Sequence, residues 1–204
     1  MKPILFNTDM VRAILAGRKM VTRRVAFPNR DLREFPRPDN PDAWWFRGRA
    51  YRNWGFAMYS VQGVMELCRF RPGDILYVRE TWAEMPYGYV YRADTEEPEG
   101  WDADDRWHPS IHMPKEAARL FLRVTNVRVE RLQSIKTDEC VDEGAVMKPH
   151  YTKRGDLCLH SRYKTEFSTL WDSTVKKSDI DRFGWEANPW VWVISFERCD
   201  KPEE

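Results

Sequence analysis

The chain has 204 residues, of which 42% are hydrophobic and 14% aromatic, and this apolar content excludes a protein that is disordered throughout. Its 33 Lys and Arg residues stand against 32 Asp and Glu residues, which excludes a uniformly basic nucleic-acid coat but permits a local basic cleft. The length favours one domain. We therefore predict a single domain over residues 1–204, with insertions at about 28–56 and 145–160.

The N-terminal part of the chain predicts a strand, a helix and a second strand. Residues 3–6 form the first strand, and the segment NTDMVRAILAGRK predicts an amphipathic helix capped by Asn7 or Thr8. Gly17 suits the left-handed end of this helix, and MVTRRV then predicts a strand. Residues 28–56 carry four prolines among many aromatic residues, which favours a long lid or insertion without regular structure.

The rest of the chain alternates strands with short helices. Strands are predicted in ILYV at 75–78, GYVYRAD at 88–94, LFLRVTNVRVERL at 120–132 and PWVWVISFERC at 189–199. Short helices are predicted after Pro114, in IKTDECVDEG, where Thr137 is the predicted cap and Gly144 the stop, and in YKTEFSTLWDSTV. Because no βαβ periodicity is present, the pattern predicts an α+β fold, a small mixed β-barrel with short flanking helices.

Cysteine spacing and hydropathy bear on cofactors and location. No CxxC pair is present, and His150, Cys158 and His160 match no common ligand spacing, so no metal or other cofactor is predicted. Asp9 interrupts the N-terminal segment before any signal-peptide core, and the apolar run at 190–196 is too short to span a bilayer. These features favour a protein of a reducing cytoplasm without a membrane partner, and leave its oligomeric state open.

Several segments occur in an order that is typical of one family. GRKMVTRR follows the first helix, GDILYVRE forms a strand, LQSIKTDECVDEG follows the long strand, and GWEANPWVWVISFERC closes the pattern. This set resembles the ASCH domain family, and in particular its long phage and prophage branch, with VRETW, WHPSIHMP and NPWVWVISF segments. The resemblance runs from Pro3 to about Cys199 and implies a PUA-like β-barrel.

The resemblance also implies a set of catalytic residues. The best-understood small ASCH enzymes are amidohydrolases acting on N4-acetylcytidine, and their lysine, threonine and glutamate correspond to Lys19, Thr22 and Glu143. One departure is Met20, where the family commonly has threonine. A lysine of lowered pKa could take the threonine proton, or as a cation it could stabilise a developing oxyanion. A glutamate could hold that lysine or shuttle the proton to a leaving amine. From spacing alone, the same residues fit a helix end, a strand surface and a solvated helix terminus.

Seven further residues are candidates for binding substrate or nucleic acid. They are Arg23, Arg24, Arg79, Glu80, Trp82, Ser110 and His112. Arg23 and Arg24 alternate across a strand, so we expect one of them to face a cleft and to pair with phosphate or with a carboxylate such as Glu80. Trp82 offers a stacking face for a base. A structural Arg–Glu ion pair and a packing histidine are the alternatives.

Charge is unevenly distributed along the chain. Residues 1–35 hold eight Lys and Arg against three Asp and Glu, whereas residues 94–118 hold two against eight. This polarity either orients a phosphate backbone or draws the two segments together. We expect a protein acting on RNA, single-stranded nucleic acid or a modified nucleoside, with amide hydrolysis of an N4-acylated cytidine as the candidate reaction. The alternatives are a non-catalytic single-stranded nucleic-acid-binding module and, with less support, a ribonuclease.

Overall fold

The computed structural model describes residues 1–28, 31–33, 43–50, 53–102, 104–145 and 163–202, and at 31–33, 43–50 and 53–61 it describes the backbone. The strands are β1 (Lys2–Leu5), β2 (Val21–Val25), β3 (Asp31–Arg33), β4 (Ala43–Ala50), β5 (Asn53–Ser60), β6 (Ile75–Arg79), β7 (Trp82–Met85), β8 (Gly88–Tyr91), β9 (Phe121–Arg131) and β10 (Trp190–Cys199). The α-helices are α1 (Thr8–Leu15), α2 (Val61–Met65), α3 (Thr137–Asp142), α4 (Tyr163–Thr174) and α5 (Ile180–Phe183). The predicted α+β class is therefore confirmed.

A five-stranded mixed sheet in the order β1-β6-β9-β10-β2 organises the fold. Only the β1–β6 pair in this sheet is parallel. Along the central β9–β10 pair, Ser195 lies opposite Asn126 whereas Phe196 lies opposite Val124, so Thr125 forms a bulge. The extra residue shifts the alternation of side chains, and Val124 and Val127 consequently face the same core.

The sheet packs helices on both faces. Trp192 and Ile194 of β10 belong to a core that includes residues of α1 and α2, and we call this side the α1 face. Val191 and Val193 belong to a second core with α3 and α4, which we call the α4 face. Because side chains alternate along a strand, β2 likewise divides its residues between the two faces.

Helix α1 forms as the sequence predicts. The Asn7 side chain accepts a hydrogen bond from the Met10 backbone N–H at 2.9 Å, which satisfies one of the free donors of the first turn. Gly17 has a φ of +69°, a conformation that favours glycine and ends the helix. The predicted strands corresponding to β1, β2, β6, β8, β9 and β10 and the helices corresponding to α3 and α4 are confirmed as well.

The prediction of an irregular segment at 28–56 is wrong. Strands β3, β4 and β5 form a separate three-stranded antiparallel sheet, with β4 and β5 paired along their whole lengths. The four prolines all precede β4, so none of them interrupts the β4–β5 ladder. The aromatic residues at 44–46 and at 54, 56 and 59 instead suit extended strands.

The predicted helix after Pro114 is also wrong. A 3₁₀ turn at Ser110–His112 takes its place, and residues 113–120 form turns and extended chain. The carbonyl of Ala117 accepts a hydrogen bond from the Tyr91 hydroxyl at 2.6 Å, a long-range contact that local sequence does not disclose. Strand β7, which was not predicted, pairs with β8. At α3 the N-cap is Lys136, and the predicted cap Thr137 is the first helical residue.

The five-stranded sheet is open in the part of the chain that the structure describes. Strands β1 and β2 are its edges, so the predicted barrel is not closed by a strand ladder. Among the described helices, none is both long and apolar enough to cross a membrane. Residues 146–162, which contain most of the predicted insertion at 145–160 together with His150, Cys158 and His160, lie outside the described residues.

Candidate functional site: a buried Lys19–Glu143 pair

The chain after α1 meets the end of α3. The backbone N–H groups of Arg18 and Lys19 both donate to the Ala13 carbonyl, which turns the chain sharply out of the helix. Lys19 then forms an antiparallel bridge with Glu143, and the Met20 N–H donates to the Asp142 carbonyl at 2.8 Å. The end of α3 therefore lies along the start of the edge strand β2, and two residues far apart in sequence become neighbours.

Lys19 is enclosed by acceptors. Its side chain is buried, and Nζ donates to Glu143 Oε2 at 2.7 Å, to the Glu143 carbonyl at 2.9 Å and to the Val21 carbonyl at 2.8 Å. These three acceptors match the three protons of an ammonium group. Burial lowers the pKa of Lys19 below its ordinary value of 10.5, although the Glu143 carboxylate opposes the shift.

Arg23 holds the other oxygen of the same carboxylate. Its side chain is buried on the α4 face, and Nη1 donates to Glu143 Oε1 at 3.1 Å. Nη2 donates to Glu130 at 2.7 Å and to Glu139 at 2.8 Å. The guanidinium also lies over the Phe167 ring, 5.8 Å from its centroid. Glu143 therefore joins two buried cations, and Arg23 fixes its orientation.

Arg128 extends this arrangement into a network that sequence reasoning missed. It donates to Glu130 at 3.1 Å and also contacts Glu139. Arg23 and Arg128 are both in register with Val193, on opposite sides of β10. Arg128 and Glu130 occupy alternate positions of a predicted strand, which indicates that both side chains lie on one face and have charged partners there. The sequence does not identify those partners.

Thr22, the third predicted catalytic residue, forms no hydrogen bond with Lys19 or Glu143 in the described chain. It is 1% exposed, and strand alternation directs it to the α1 face, opposite Arg23. Its hydroxyl forms no hydrogen bond with the described residues, but it directly follows Val21, whose carbonyl holds Lys19. The structure thus brings Lys19 and Glu143 into contact. Thr22 is the neighbour in sequence of Val21, which accepts a hydrogen bond from Lys19.

Arg24 and Lys19 approach the same aromatic ring. The Arg24 guanidinium lies 5.2 Å and Lys19 Nζ 5.7 Å from the centroid of Phe6. Arg24 Nη2 also donates to the Leu5 carbonyl at 2.7 Å. Phe6 was not among the predicted site residues, and it gives the two cations an apolar neighbour at the end of β1.

Glu80 has a partner other than Arg23 or Arg24. Both of its oxygens accept from Arg119 at 3.1 Å, and Arg119 also binds Asp94 at 2.5 Å. Burial raises the pKa of the Glu80 carboxyl, while Arg119 opposes the shift. The adjacent Arg79 donates to the Ile111 carbonyl. Within the described chain, no hydrogen bond or ion pair joins Arg79 or Glu80 to the Lys19–Glu143 pair.

The remaining candidates lie near Glu80. Trp82 is 8% exposed, and its ring packs against His108 at 5.0 Å and against Tyr89 at 5.6 Å between centroids. Ser110 and His112 lie on the 3₁₀ turn, and His112 is exposed. The VRETW and WHPSIHMP segments are therefore packed together, at a place separate from the Lys19–Glu143 pair.

A cleft of about 430 Å³ reaches Glu143 from outside. Its lining includes Glu143 and Gly144, Arg12 of α1, and Glu166 and Thr169 of α4. Its volume lies within the ordinary range of small-molecule sites. Across the described residues, no group of three His, Cys, Asp or Glu side chains is placed to hold a metal ion.

Comparison of the chain with protein-family models, with curated proteins and with solved structures finds no match. Membership of the ASCH family consequently stays a prediction from the ordered sequence segments. The chemistry proposed for the site rests on that prediction together with the contacts of Lys19, Thr22 and Glu143.

Proposed function

We propose that this protein is an ASCH-type amidohydrolase of PUA-like fold that acts on RNA or on a modified nucleoside, at an acylated exocyclic nitrogen such as N4 of cytidine. The observation that carries the proposal is the buried 2.7 Å contact between Lys19 Nζ and Glu143 Oε2. Lys19 also donates to the carbonyl of Val21, the residue that precedes Thr22. The resemblance implies these three residue types, and two of them form a buried pair although 124 positions separate them.

The shape of the main sheet supports the PUA-like part of the proposal. Arg24 on β2 donates to the Leu5 carbonyl at the end of β1 at 2.7 Å, and these two strands are opposite edges of the sheet. One arginine side chain spans the gap between them, so the sheet curls strongly. A curled sheet of this kind is what a small barrel with a partly open seam requires.

The proposed reaction starts within the ion pair. Transfer of a proton from Lys19 Nζ to Glu143 Oε2 leaves a neutral amine, which burial favours. The amine takes the proton of Thr22, and the oxygen attacks the acyl carbon and forms a covalent ester as the C–N bond breaks. The Glu143 carboxyl returns its proton to the departing exocyclic nitrogen, and water then hydrolyses the ester.

A second candidate is a nucleic-acid-binding module without catalysis, and two observations favour the absence of catalysis. All three protons of the Lys19 ammonium already have protein acceptors, and Thr22 has no hydrogen bond to either partner in the described chain. Under this candidate the pair is a structural connection between β2 and α3. The two candidates differ in whether the chain releases cytidine from an acylated substrate.

The decisive experiment measures cytidine released from N4-acetylcytidine by chromatography. Glu143→Gln should lower the rate by about 10²- to 10⁴-fold, the usual contribution of an acid–base group. Glu139→Gln is the matched control, because Glu139 also binds Arg23 but does not contact Lys19, and it should retain most of the activity. Thr22→Ala should abolish release whereas Thr22→Ser should retain it.

The outcomes and the pH profile separate the candidates. No release by the folded wild-type chain supports the binding module, and release that survives Thr22→Ala contradicts the mechanism. The reactive state carries one proton shared between Lys19 and Glu143, and that proton later protonates the leaving nitrogen. The rate should therefore fall as pH rises through the folded-state pKa of Lys19. Burial lowers that pKa, so the fall should occur below pH 10.5 in a chain whose unfolding is monitored in parallel.

A further inference from the structure

A second cleft of about 380 Å³ lies on the α1 face, separate from the one that reaches Glu143. Its lining includes Arg24, Phe27, Arg69, Phe70, Trp192 and Ile194. The volume falls within the range of about 300–1,000 Å³ that small-molecule sites occupy. The cleft combines aromatic walls with cationic groups, and each of these features restricts what it can bind.

The charge of this cleft is entirely positive among its described lining residues. Arg24 and Arg69 carry it, and no carboxylate of the described chain forms an ion pair with either. Arg69 is exposed, and its guanidinium lies 5.6 Å from the centroid of the Phe70 ring. Two arginines without acidic partners favour an anionic ligand, and arginine is well suited to phosphate.

The aromatic wall contains a backbone feature that is rare for its residue type. Phe27 has a φ of +61°, in the left-handed region that a bulky side chain adopts only at a cost. This conformation places its ring edge-on to Trp192, with 5.0 Å between centroids. Strain of this kind persists where the surrounding structure enforces it, and it is frequent at ligand sites.

The cleft adjoins the proposed reaction centre through the sheet. Ile194, which lines the cleft, is in register with Thr22 on the neighbouring strand, and Trp192 is in register with Arg24. Because Thr22 and Arg24 project from the same face of β2, the cleft begins one residue pair away from Thr22.

We infer that this cleft binds a nucleotide, with its base against the Phe27, Phe70 and Trp192 wall and its phosphate at Arg69. This inference rests on the proposed function for the class of ligand, and it extends that function by assigning a subsite for a neighbouring nucleotide. The same chemistry is present in a free nucleoside monophosphate and in single-stranded RNA. The subsite implies that a polynucleotide is the preferred substrate.

The test is the binding of a fluorescently labelled six-residue oligouridylate, followed by anisotropy over a range of salt concentrations. Each phosphate contact to a single strand contributes about 0.7 to the log–log salt slope, which corresponds to about fivefold in affinity at 0.1 M salt. Arg69→Ala should therefore lower the log–log salt slope by about 0.7 and the affinity by about fivefold. Arg71→Ala is the matched control, since Arg71 is an exposed arginine two residues away that does not line the cleft. Equal losses in both variants would overturn the inference.

Two further ligands test the base and the source of the phosphate. An abasic ribose-phosphate oligomer of the same length should bind about 5- to 150-fold more weakly than oligouridylate, because it cannot stack a base on the aromatic wall. Equal binding would refute a base subsite. Competition by cytidine monophosphate that is lost in Arg69→Ala would support a free nucleotide as the ligand. Binding of the oligomer alone would support the polynucleotide, and binding of neither would overturn the inference.

Oligomer binding tests the second cleft and cytidine release tests the hydrolase, and either test can fail while the other succeeds. Hydrolysis of free N4-acetylcytidine does not require the second cleft, so normal hydrolysis with oligomer binding insensitive to Arg69→Ala would refute only the inference. Binding that depends on Arg69 in a chain that releases no cytidine would refute only the hydrolase.

Discussion

Glu143 shows how one carboxylate can hold two buried cations. One oxygen accepts from Lys19 and the other from Arg23, and its carbonyl also accepts from Lys19. Each side chain of this group is buried, so a change that removes one charge leaves its partner without compensation. For this reason the conservative glutamine and serine variants are more informative than alanine at these positions.

Cys140 provides a residue-scale prediction in the core beside this network. Burial raises the pKa of Cys140 to about 11, so at pH 8 only about one thiol in a thousand is the reactive thiolate. Iodoacetamide at pH 8 should therefore modify Cys140 in the native chain far more slowly than the partly exposed Cys199, as followed by peptide mass spectrometry. Both should react at similar rates in denaturant. Equal native rates would contradict the buried position of Cys140.

The sequence predicted individual residues of the site, but it did not predict which residues they contact. Lys19, Thr22 and Glu143 were named from the order of segments, but Arg128, Glu130 and Glu139 were not, since their contacts join β9, β2 and α3. Arg119 was likewise not recognised as the partner of Glu80. Such contacts depend on strand register and helix docking, and no local spacing rule contains that information.

At the scale of secondary-structure elements, the sequence predicted correctly those elements that carry strong local signals. Helix α1 has a capping side chain, an apolar stripe and a terminal glycine, and each of these acts within a few residues of the helix. Strands β4 and β5 were missed because prolines earlier in the segment outweighed the aromatic residues of the strands themselves. The prolines predicted a loop, whereas the aromatic residues that follow them are typical of strands such as β4 and β5.

The cap of α1 yields a prediction for this scale. Asn7→Ala removes the acceptor of the Met10 N–H and should lower the free energy of unfolding by about 1 kcal/mol. For a chain of about 200 residues this corresponds to a decrease in Tm of roughly 2–4 °C. Asn7→Asp and Asn7→Ser keep an acceptor and should stay near the wild-type value in the same melting experiment. A loss of equal size in all three variants would show that the cap does not stabilise the helix.

At the scale of the whole molecule, the uneven charge of the sequence has a partial explanation. Arg12, from the basic N-terminal region, binds Glu96 at 3.2 Å and donates to the carbonyls of Arg92 and Ala93. The basic and acidic segments therefore attract each other at this point, which is one of the two alternatives that composition left open. Arg24 and Arg69 are not neutralised in this way, and they supply the positive charge of the cleft on the α1 face.

The alternation of strands and short helices along the sequence predicted the α+β fold class, but it did not predict the order of the strands in the sheet. A parallel β1–β6 pair and an edge position for β2 depend on pairings between distant segments, each of which competes with other partners of similar hydrophobicity. The open seam between β1 and β2 likewise depends on twist and on side chains such as Arg24 rather than on any pattern along the chain.

The strand order has a consequence for synthesis of this protein on the ribosome. Strand β2 follows the lysine of the proposed site, yet its partner in the sheet is β10, with Val25 opposite Val191 and Val21 opposite Ser195. Strand β2 must therefore leave the exit tunnel and remain without its sheet partner until almost all of the described chain has been translated. A nascent chain arrested after Pro189 should show rapid amide exchange throughout β2, and release of β10 should protect it. If β2 is already protected in the arrested chain, another segment must cover it during translation.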